Sequence, residues 1–198
     1  MPDLSNPQEL WITKHRLGFD LMGPVLAECC QSLYKYLNTV SDSEHSRVLY
    51  CARGGLTINR ALEIYLTRIE KVPPVLGENF MVSRLAASRL ALEVSPQQAA
   101  PLLALEFEGR SCAAVASVLS GTHIPNVYAW AQPYRFDILS QLMSDNPVGR
   151  RAHESMIEQC TLFREHLAAI SGDAQVLHLV DTGVFGSIGH FLALGLPD

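Results

Sequence analysis

The chain has 198 residues, of which 48% are apolar and 18% are charged, and its formal net charge is -5 at pH 7. This composition excludes a disordered chain and predicts a globular protein with one core. The acidic balance argues against a broad surface for nucleic acid. The N-terminal segment lacks the apolar stretch of a signal peptide, and no apolar run is long enough to span a bilayer. We therefore expect a cytoplasmic protein that does not insert into a membrane.

The cysteines and histidines show no metal-binding spacing. The five cysteines are an odd set inside apolar segments, without a C-x-x-C pair, and we expect reduced, buried thiols. The seven histidines form neither an i,i+4 pair nor a cluster with cysteine, so the sequence predicts no structural metal.

The first half of the chain predicts a helix, a strand and a second helix. After a polar lead-in over residues 1–17, apolar residues recur at four-residue steps over 18–40, which predicts a helix. Gly23-Pro24 is expected in its first turn, because proline is tolerated there. The polar segment 41–46 ends this helix. RVLYCA then predicts a buried strand, and residues 56–69 predict a helix that follows it directly.

The strand-to-helix junction recurs twice. NFMVS (79–83) predicts a second strand that leads into the helix RLAASRLALE. AQVLHLV (174–180) predicts a third, buried strand that leads into a glycine turn and a last helix. Between them, residues 95–172 predict only helices. The predicted helices there are SPQQAAPLLALEF, SCAAVASVLSG, VYAWAQPYRFDILSQLM and PVGRRAHESMIEQCTLFREHLAAIS.

This order of elements predicts an α/β fold with a parallel, Rossmann-like sheet. We expect a single domain over 1–198, in which 95–172 is a mainly helical insertion. The carboxyl ends of parallel strands lie along one edge of the sheet, where ligands bind in open α/β folds. Arg53, Ser83, Arg84 and Asp181 are therefore expected to gather at that edge.

Arg53-Gly54-Gly55 leaves two interpretations open. Glycine lets the backbone approach a ligand, a helix start presents N–H groups, and arginine binds phosphate or carboxylate in a bidentate manner. The alternative is that the two glycines only make the turn, while Arg53 pairs with a carboxylate such as Asp181.

The segment VDTGVFGSIGH predicts a small-ligand loop. Asp181 would bind a ribose or a magnesium ion, and the turn after it would present N–H groups to a phosphate. His190, one turn into the last helix, is the histidine placed to reach the edge. The alternative is that Asp181 or Ser187 only caps the helix. The other loop residues expected at the site are Thr182, Gly183, Gly186 and Ser187.

Three further groups are weaker candidates. Ser83-Arg84 offers a hydroxyl and a guanidinium, although Arg84 fits a solvated position in a first helical turn equally well. His178 lies within the last strand and fits a core residue with its polar atoms satisfied. A Cys51–His178 or Ser187–His190 nucleophile pair can be drawn, but no G-x-S-x-G motif supports it.

VLYCARGGL and HLVDTGVFGS resemble, in that order, two loops of the type I phosphoribosyltransferases. The resemblance implies a Rossmann-like fold that binds phosphoribosyl diphosphate, with Mg²⁺ carried by the phosphorylated ligand and Asp181 as the catalytic carboxylate. The acidic pair of that family's sugar-phosphate loop is reduced here to Asp181.

A second resemblance covers most of the chain. GFDLMGPVL, LYCARGGL, MVSRLA and VDTGVFGSIG are similar to four successive motifs of the region found C-terminal to haloacid-dehalogenase-type domains in bacterial surface-polysaccharide proteins. Gly54 stands where that pattern has aspartate, and Val184 and Gly189 stand where tryptophan and glutamine are usual. The dehalogenase motif D-x-D-x-T is absent from this sequence, so phosphatase activity is not implied.

The sequence thus leads to a binding function with an open catalytic question. The main hypothesis is a pocket for a phosphorylated sugar or nucleotide, with or without phosphoribosyltransferase-like glycosyl transfer. The alternative is a non-catalytic interaction module, a homodimer or the binder of a partner protein. Trp130, Tyr134 and Phe136 would favour a partner surface if they are exposed, but an ordinary core or a homodimer seam is the more common place for such aromatics. A hydrolase is a minor alternative.

Overall fold

A computed structural model describes residues 16–40, 45–183 and 186–196. The chain divides into two compact units. The first unit comprises Met1–Asn79 and Asp173–Asp181, and the second comprises Phe80–Gly172 and Thr182–Asp198. The predicted insertion 95–172 lies in the second unit, which already begins at Phe80. That the whole chain is one domain stays a prediction.

The protein is mixed α/β and mostly helical, with a small parallel sheet. The strands are β1 (Ser46–Cys51), β2 (Gly77–Phe80) and β3 (Val176–Val180), in the order β2-β1-β3. β1 and β3 are parallel neighbours, and Tyr50 lies opposite Val180 at their carboxyl ends. The predicted parallel α/β architecture is confirmed at this level.

The two strands that lead into the predicted site, β1 and β3, differ in how deeply they are buried. β1 is central, and Val48, Leu49 and Cys51 are completely buried. β3 was expected to be a buried strand, but Val176 and Leu179 are 48% and 39% exposed. The expectation is wrong because β3 is an edge strand among the described residues, so its apolar run is covered on fewer sides.

The first predicted helix, over 18–40, has two parts. α1 (Gly23–Val40) begins with Gly23-Pro24 in its first turn, as predicted, and is preceded by a π-helical turn over Leu17–Met22. Proline has no N–H and interrupts the regular i→i-4 ladder. The N–H of Gly23 accordingly bonds to the carbonyl of Gly18, five residues back.

α2 (Gly54–Arg68) follows β1 almost directly and completes the first unit. Its apolar face and that of α1 pack on the central strand. The buried residues of this core are Cys30, Leu37, Val48, Tyr50, Leu62, Leu66 and Val75.

The second unit is helical. Its α-helices in the described part are α3 (Arg84–Val94), α4 (Pro96–Glu106), α5 (Cys112–Ser120), α6 (Phe136–Asp145), α7 (Pro147–Ser171) and α8 (Ser187–Gly195), with a 3₁₀ turn at Tyr128–Ala131. None of the helices in the described part of the chain is long and apolar enough to cross a membrane.

Two predicted elements of this region are corrected. Residues 127–143 do not form one helix: the 3₁₀ turn ends at Ala131, and Pro133 pairs with Ser111 in an isolated bridge before α6 begins. The second strand ends at Phe80 rather than at 83, because the N–H of Val82 turns back to the carbonyl of Phe80.

The aromatic segment is part of the second core rather than a surface. Trp130 is 5% exposed, and Tyr134 packs against the same cluster. Phe107 and Tyr134 meet edge to face, with ring centroids 6.0 Å apart. The candidate partner surface at Trp130 and Tyr134 is therefore wrong, because these side chains fill the interior of the helical unit.

Gly55 sets how closely α2 approaches the sheet. A Cβ at this position would lie 2.5 Å from the Val180 carbonyl oxygen and 2.8 Å from the Tyr50 carbonyl carbon. We expect Gly55→Ala to lower the free energy of unfolding by about 1–3 kcal/mol, because backbone atoms must shift. Urea denaturation followed by circular dichroism measures this loss.

The matched control is Gly18→Ala in the same unit, where an added Cβ meets nothing within 4 Å. It should leave stability unchanged or raise it by up to about 1 kcal/mol, since alanine favours helix more than glycine does. Equal midpoints for the two variants would contradict the close approach at Gly55.

Candidate functional site

The junction between β1 and α2 turns within one residue, at Arg53. Its φ of 66° and ψ of -85° are rare for a residue with a side chain. The N–H of Gly54 bonds to the carbonyl of Ala52 at 3.1 Å, which closes a three-residue γ-turn centred on Arg53. The glycines were expected to make the sharp turn, and this expectation is wrong for the turn itself, because the strained residue is the arginine.

Gly55 has a different role from the one predicted. It is buried, and the contacts that a Cβ would make show that the first turn of α2 lies against the carboxyl ends of both β1 and β3. Glycine is needed here for close approach rather than for a positive φ. The helix start is thereby held at the edge of the sheet where β1 and β3 end.

The guanidinium of Arg53 has no partner in the described part of the protein. The residue is exposed, and no ion pair or side-chain hydrogen bond joins it to another described residue. The alternative that Arg53 pairs with Asp181 is therefore not what the structure contains. An exposed arginine held by a strained backbone is available to an anion.

The start of α2 also leaves backbone donors unpaired. No side chain caps this helix, and among the described residues no acceptor is present for the N–H groups of Gly55 and Leu56. Thr57 holds the turn from the other side, because its N–H and its hydroxyl both donate to the carbonyl of Arg53, at 3.2 Å each. Thr57 was not among the predicted site residues; an R-x-x-x-T spacing across a helix start is the signal that could have found it.

Asp181 follows β3 at the same edge of the sheet. It is exposed, and because Tyr50 lies opposite Val180, the register brings Asp181 level with Cys51. Burial, and next the negative charge of Asp181, raise the pKa of the Cys51 thiol to about 11. Arg53 and Asp181 thus follow neighbouring parallel strands, as predicted, and both side chains reach solvent.

Ser83 and Arg84 lie in the second unit and have partners there. The Ser83 hydroxyl caps α3 by accepting from the N–H of Ala86 at 3.1 Å. Arg84 forms an ion pair with Glu106 at 2.9 Å. Their predicted place beside Arg53 stays a prediction, but each side chain already has a local structural role.

The remaining predicted site residues also belong to the second unit. Gly186 has a φ of 59° and precedes α8, and its N–H bonds to the carbonyl of Gly183 at 3.2 Å. The N-cap of α8 is therefore Gly186 rather than Ser187. His190 is exposed, and in the part of the chain that the structure describes no side-chain hydrogen bond joins it to Ser187. Val184 lies outside the described residues.

The candidate nucleophile pair Cys51–His178 is not formed in the structure. His178 lies opposite Val48, three residues before Cys51 along the strand, or about 10 Å at 3.3 Å per residue. Its ring meets that of Tyr36 edge to face, and its Nε2 atom is buried without a hydrogen-bond partner among the described residues. His178 was expected to have all of its polar atoms hydrogen-bonded, but its Nε2 atom has no partner among the described residues.

Metal ligands are not clustered in the described residues: no group of three or more His, Cys, Asp or Glu side chains there could hold an ion. Asp181 alone can supply one carboxylate. This suits Mg²⁺ that arrives with a phosphorylated ligand, since magnesium is commonly held through one or two carboxylates plus phosphate oxygens.

Comparison of the chain with models of known protein families, with curated proteins and with solved structures finds no match. The two resemblances drawn from sequence motifs therefore stay predictions.

Thiol labelling tests the environment of Cys51. Cys30, Cys51, Cys112 and Cys160 are buried, whereas Cys29 is exposed, which corrects the expectation of buried thiols at that position. We expect one thiol of the native protein to react quickly with an aromatic disulfide reagent at mildly alkaline pH, since a buried thiol with a raised pKa supplies little thiolate.

Cys29→Ser should remove this fast phase, whereas Cys51→Ser should leave it intact. Rapid labelling that disappears only in Cys51→Ser would mean that Cys51 is an accessible nucleophile, and would revive the hydrolase interpretation.

Proposed function

We propose that the edge of the sheet where β1 and β3 end binds a phosphorylated sugar or nucleotide. In this proposal the Arg53 guanidinium and the first-turn N–H groups of α2 bind the phosphate, while Gly54 and Gly55 allow the close approach. Asp181 binds a sugar hydroxyl or the Mg²⁺ that accompanies the phosphate. The proposal includes a cytoplasmic location for the protein.

The observation that carries the proposal is Arg53 in a γ-turn, with a guanidinium that has no partner in the part of the chain that the structure describes. A residue with a side chain in a sparsely populated backbone region costs about 1–3 kcal/mol, and such residues concentrate at binding sites. Glycine would adopt this conformation with less strain. The strain combined with an exposed, unpaired guanidinium favours a selected function for the arginine over a purely structural one.

The charges at this edge favour a ligand with two kinds of group. A positive guanidinium and a helix start attract an anion, whereas Asp181 repels one unless a cation or hydroxyl groups face it. A phosphorylated sugar satisfies both requirements, because its phosphate and its hydroxyls are separate. A bare inorganic anion uses only half of the site and should bind more weakly.

Glycosyl transfer is the catalytic form of this proposal. In it the fold is Rossmann-like and the reaction is phosphoribosyltransferase-like, with Asp181 as the catalytic carboxylate. Gly54 supplies no acid beside Arg53, so in this proposal Asp181 or the ligand supplies the acid or base group. Binding does not depend on this step and is the primary proposal.

Substitution of Arg53 separates binding from stability. Arg53→Gly should raise the free energy of unfolding by about 1 kcal/mol, because it relieves the γ-turn, and should weaken ribose 5-phosphate and AMP binding about tenfold or more. Calorimetry with each ligand, with and without Mg²⁺, measures the affinity, and urea denaturation measures the stability.

Arg68→Ala is the matched control, since it removes one positive charge from the last turn of the same helix. It should leave the affinity unchanged. Two results would count against the site: a wild-type protein that binds none of these ligands, or an Arg53→Gly variant that is less stable than the wild type.

Exposed apolar side chains on the first unit favour a second candidate function, self-association. Leu17, Phe19 and Leu21 are 55%, 75% and 56% exposed, and β3 presents Val176 and Leu179 on an edge strand. In this proposal the side chains around Phe19 form an interaction surface, which contiguous exposed apolar patches commonly mark. It supports the non-catalytic module at a different place from the aromatic segment that the sequence suggested.

Light scattering over a wide concentration range tests self-association. We expect the wild-type mass to rise with concentration and Phe19→Glu to remain a monomer, because a charge placed in a buried apolar interface is costly. Val72→Glu is the control, since Val72 is 77% exposed in the same unit but lies after α2. A wild-type monomer at every concentration would eliminate this function.

A further inference from the structure

The second unit contains a pocket that is separate from the proposed anion site. Its volume is about 340 Å³, and all of its lining residues belong to the helical unit. Its apolar lining includes four buried side chains, Leu119, Leu139, Met143 and Met156. Phe136 also lines the pocket and is partly buried. This volume lies at the small end of the range typical of ligand pockets, about 300–1,000 Å³.

One wall of the pocket carries a carboxylate with fixed partners. Glu93 is held by two hydrogen bonds from Arg164, at 2.8 and 3.3 Å, and the Glu93 side chain is 23% exposed. Burial, and next the carboxylate of Glu93, raise the pKa of the Cys160 thiol to about 12. Cys160 is therefore a neutral thiol at pH 7 and adds no negative charge beside Glu93.

The carboxylate in the pocket wall is already paired. The negative charge of Glu93 is compensated by Arg164. Arg89, which does not line the pocket, donates to the carbonyls of Val118 and Leu119 at 2.9 and 2.7 Å. A cationic ligand would gain little from a carboxylate that is already paired, and an anionic ligand would meet its oxygens. The pocket therefore favours a neutral molecule.

Polar atoms are confined to a few positions around the apolar interior. Besides Glu93, the pocket is lined by Ser140, Ser144 and His153, all of which are exposed to solvent. The hydroxyl of a neutral ligand can donate a hydrogen bond to a carboxylate oxygen of Glu93 or bond to one of these three exposed side chains. The apolar part of the ligand then replaces water against the leucine and methionine side chains.

We propose that this pocket binds a small, neutral, mainly aromatic or aliphatic molecule that carries one hydroxyl group. The site is independent of Arg53 and Asp181, so it stands whether or not the first unit binds a phosphorylated ligand. The apolar lining of the pocket favours the apolar part of the ligand, and the paired carboxylate of Glu93 favours a neutral hydroxyl as the hydrogen-bond donor.

A matched set of four probes tests the ligand class: benzyl alcohol, toluene, benzylammonium and benzoate. Titrations of the full chain, followed by the methyl resonances of its Leu and Met residues, should show benzyl alcohol binding about tenfold more tightly than either charged probe, and about fivefold more tightly than toluene. Absence of benzyl alcohol binding, or equal affinity for a charged probe, would overturn the proposal. Equal affinity for toluene would overturn the assigned hydroxyl.

Substitutions on one helix locate the site. Ser140→Trp should fill the pocket and weaken benzyl alcohol binding about tenfold or more, whereas Gln141→Trp, the exposed neighbour outside the pocket, should not. Both changed residues are exposed, so the methyl spectrum should report an intact fold. Equal loss in the two variants, or in neither, would place binding elsewhere.

Glu93→Gln tests the charge argument. It removes the negative charge but keeps a hydrogen-bonding group, which leaves Arg164 uncompensated. Benzoate should then bind more tightly than it binds the wild type, while benzylammonium should gain nothing. An unchanged affinity for benzoate would show that Glu93 does not face the ligand.

Discussion

The close approach of α2 to the carboxyl ends of β1 and β3 is the constraint on which the candidate site depends. It is possible only because position 55 has no side chain, since a Cβ there would overlap the backbone of Tyr50 and Val180. A helix that starts so near its own strand leaves room for only a very short turn, and a γ-turn is the shortest available. The strain at Arg53 therefore follows from the packing at Gly55, and Thr57 secures it with two bonds to the Arg53 carbonyl.

The packing of the helical unit depends on a different constraint: the carbonyl groups at the end of α5 need hydrogen-bond donors. Ser155 and Gln159 donate to the Ser120 carbonyl at 3.0 and 2.6 Å, and Arg89 donates to the two preceding carbonyls. Helix ends leave such acceptors unpaired, and burying them without partners is costly. These bonds tie α3 and α7 to α5, and α3 and α7 also carry the Glu93–Arg164 pair beside the apolar pocket.

Prediction from sequence succeeded where local signals coincide. The helix predicted over 147–171 is α7 without any shift: Asn146 caps it, Pro147 begins it, and Gly172 follows its end. β1 was also identified, because residues 48–51 of this central strand form a continuous apolar run. Prediction failed over 127–143, where an apolar pattern suggested one helix and Pro133 interrupts it. It failed for the exposure of β3, because an edge strand and a central strand share the same apolar run.

The sequence by itself determined that this is an α/β protein with strands leading directly into helices, and it determined that Arg53 and Asp181 follow two of those strands. These are local properties of apolar period and turn residues. The tertiary structure alone decided that β1 and β3 are neighbours and that Arg53 rather than a glycine adopts the strained turn. It also decided that the Arg53 guanidinium lacks a partner among the described residues, while Arg84 has one in Glu106. Each of these depends on how closely distant segments pack, which no local pattern encodes.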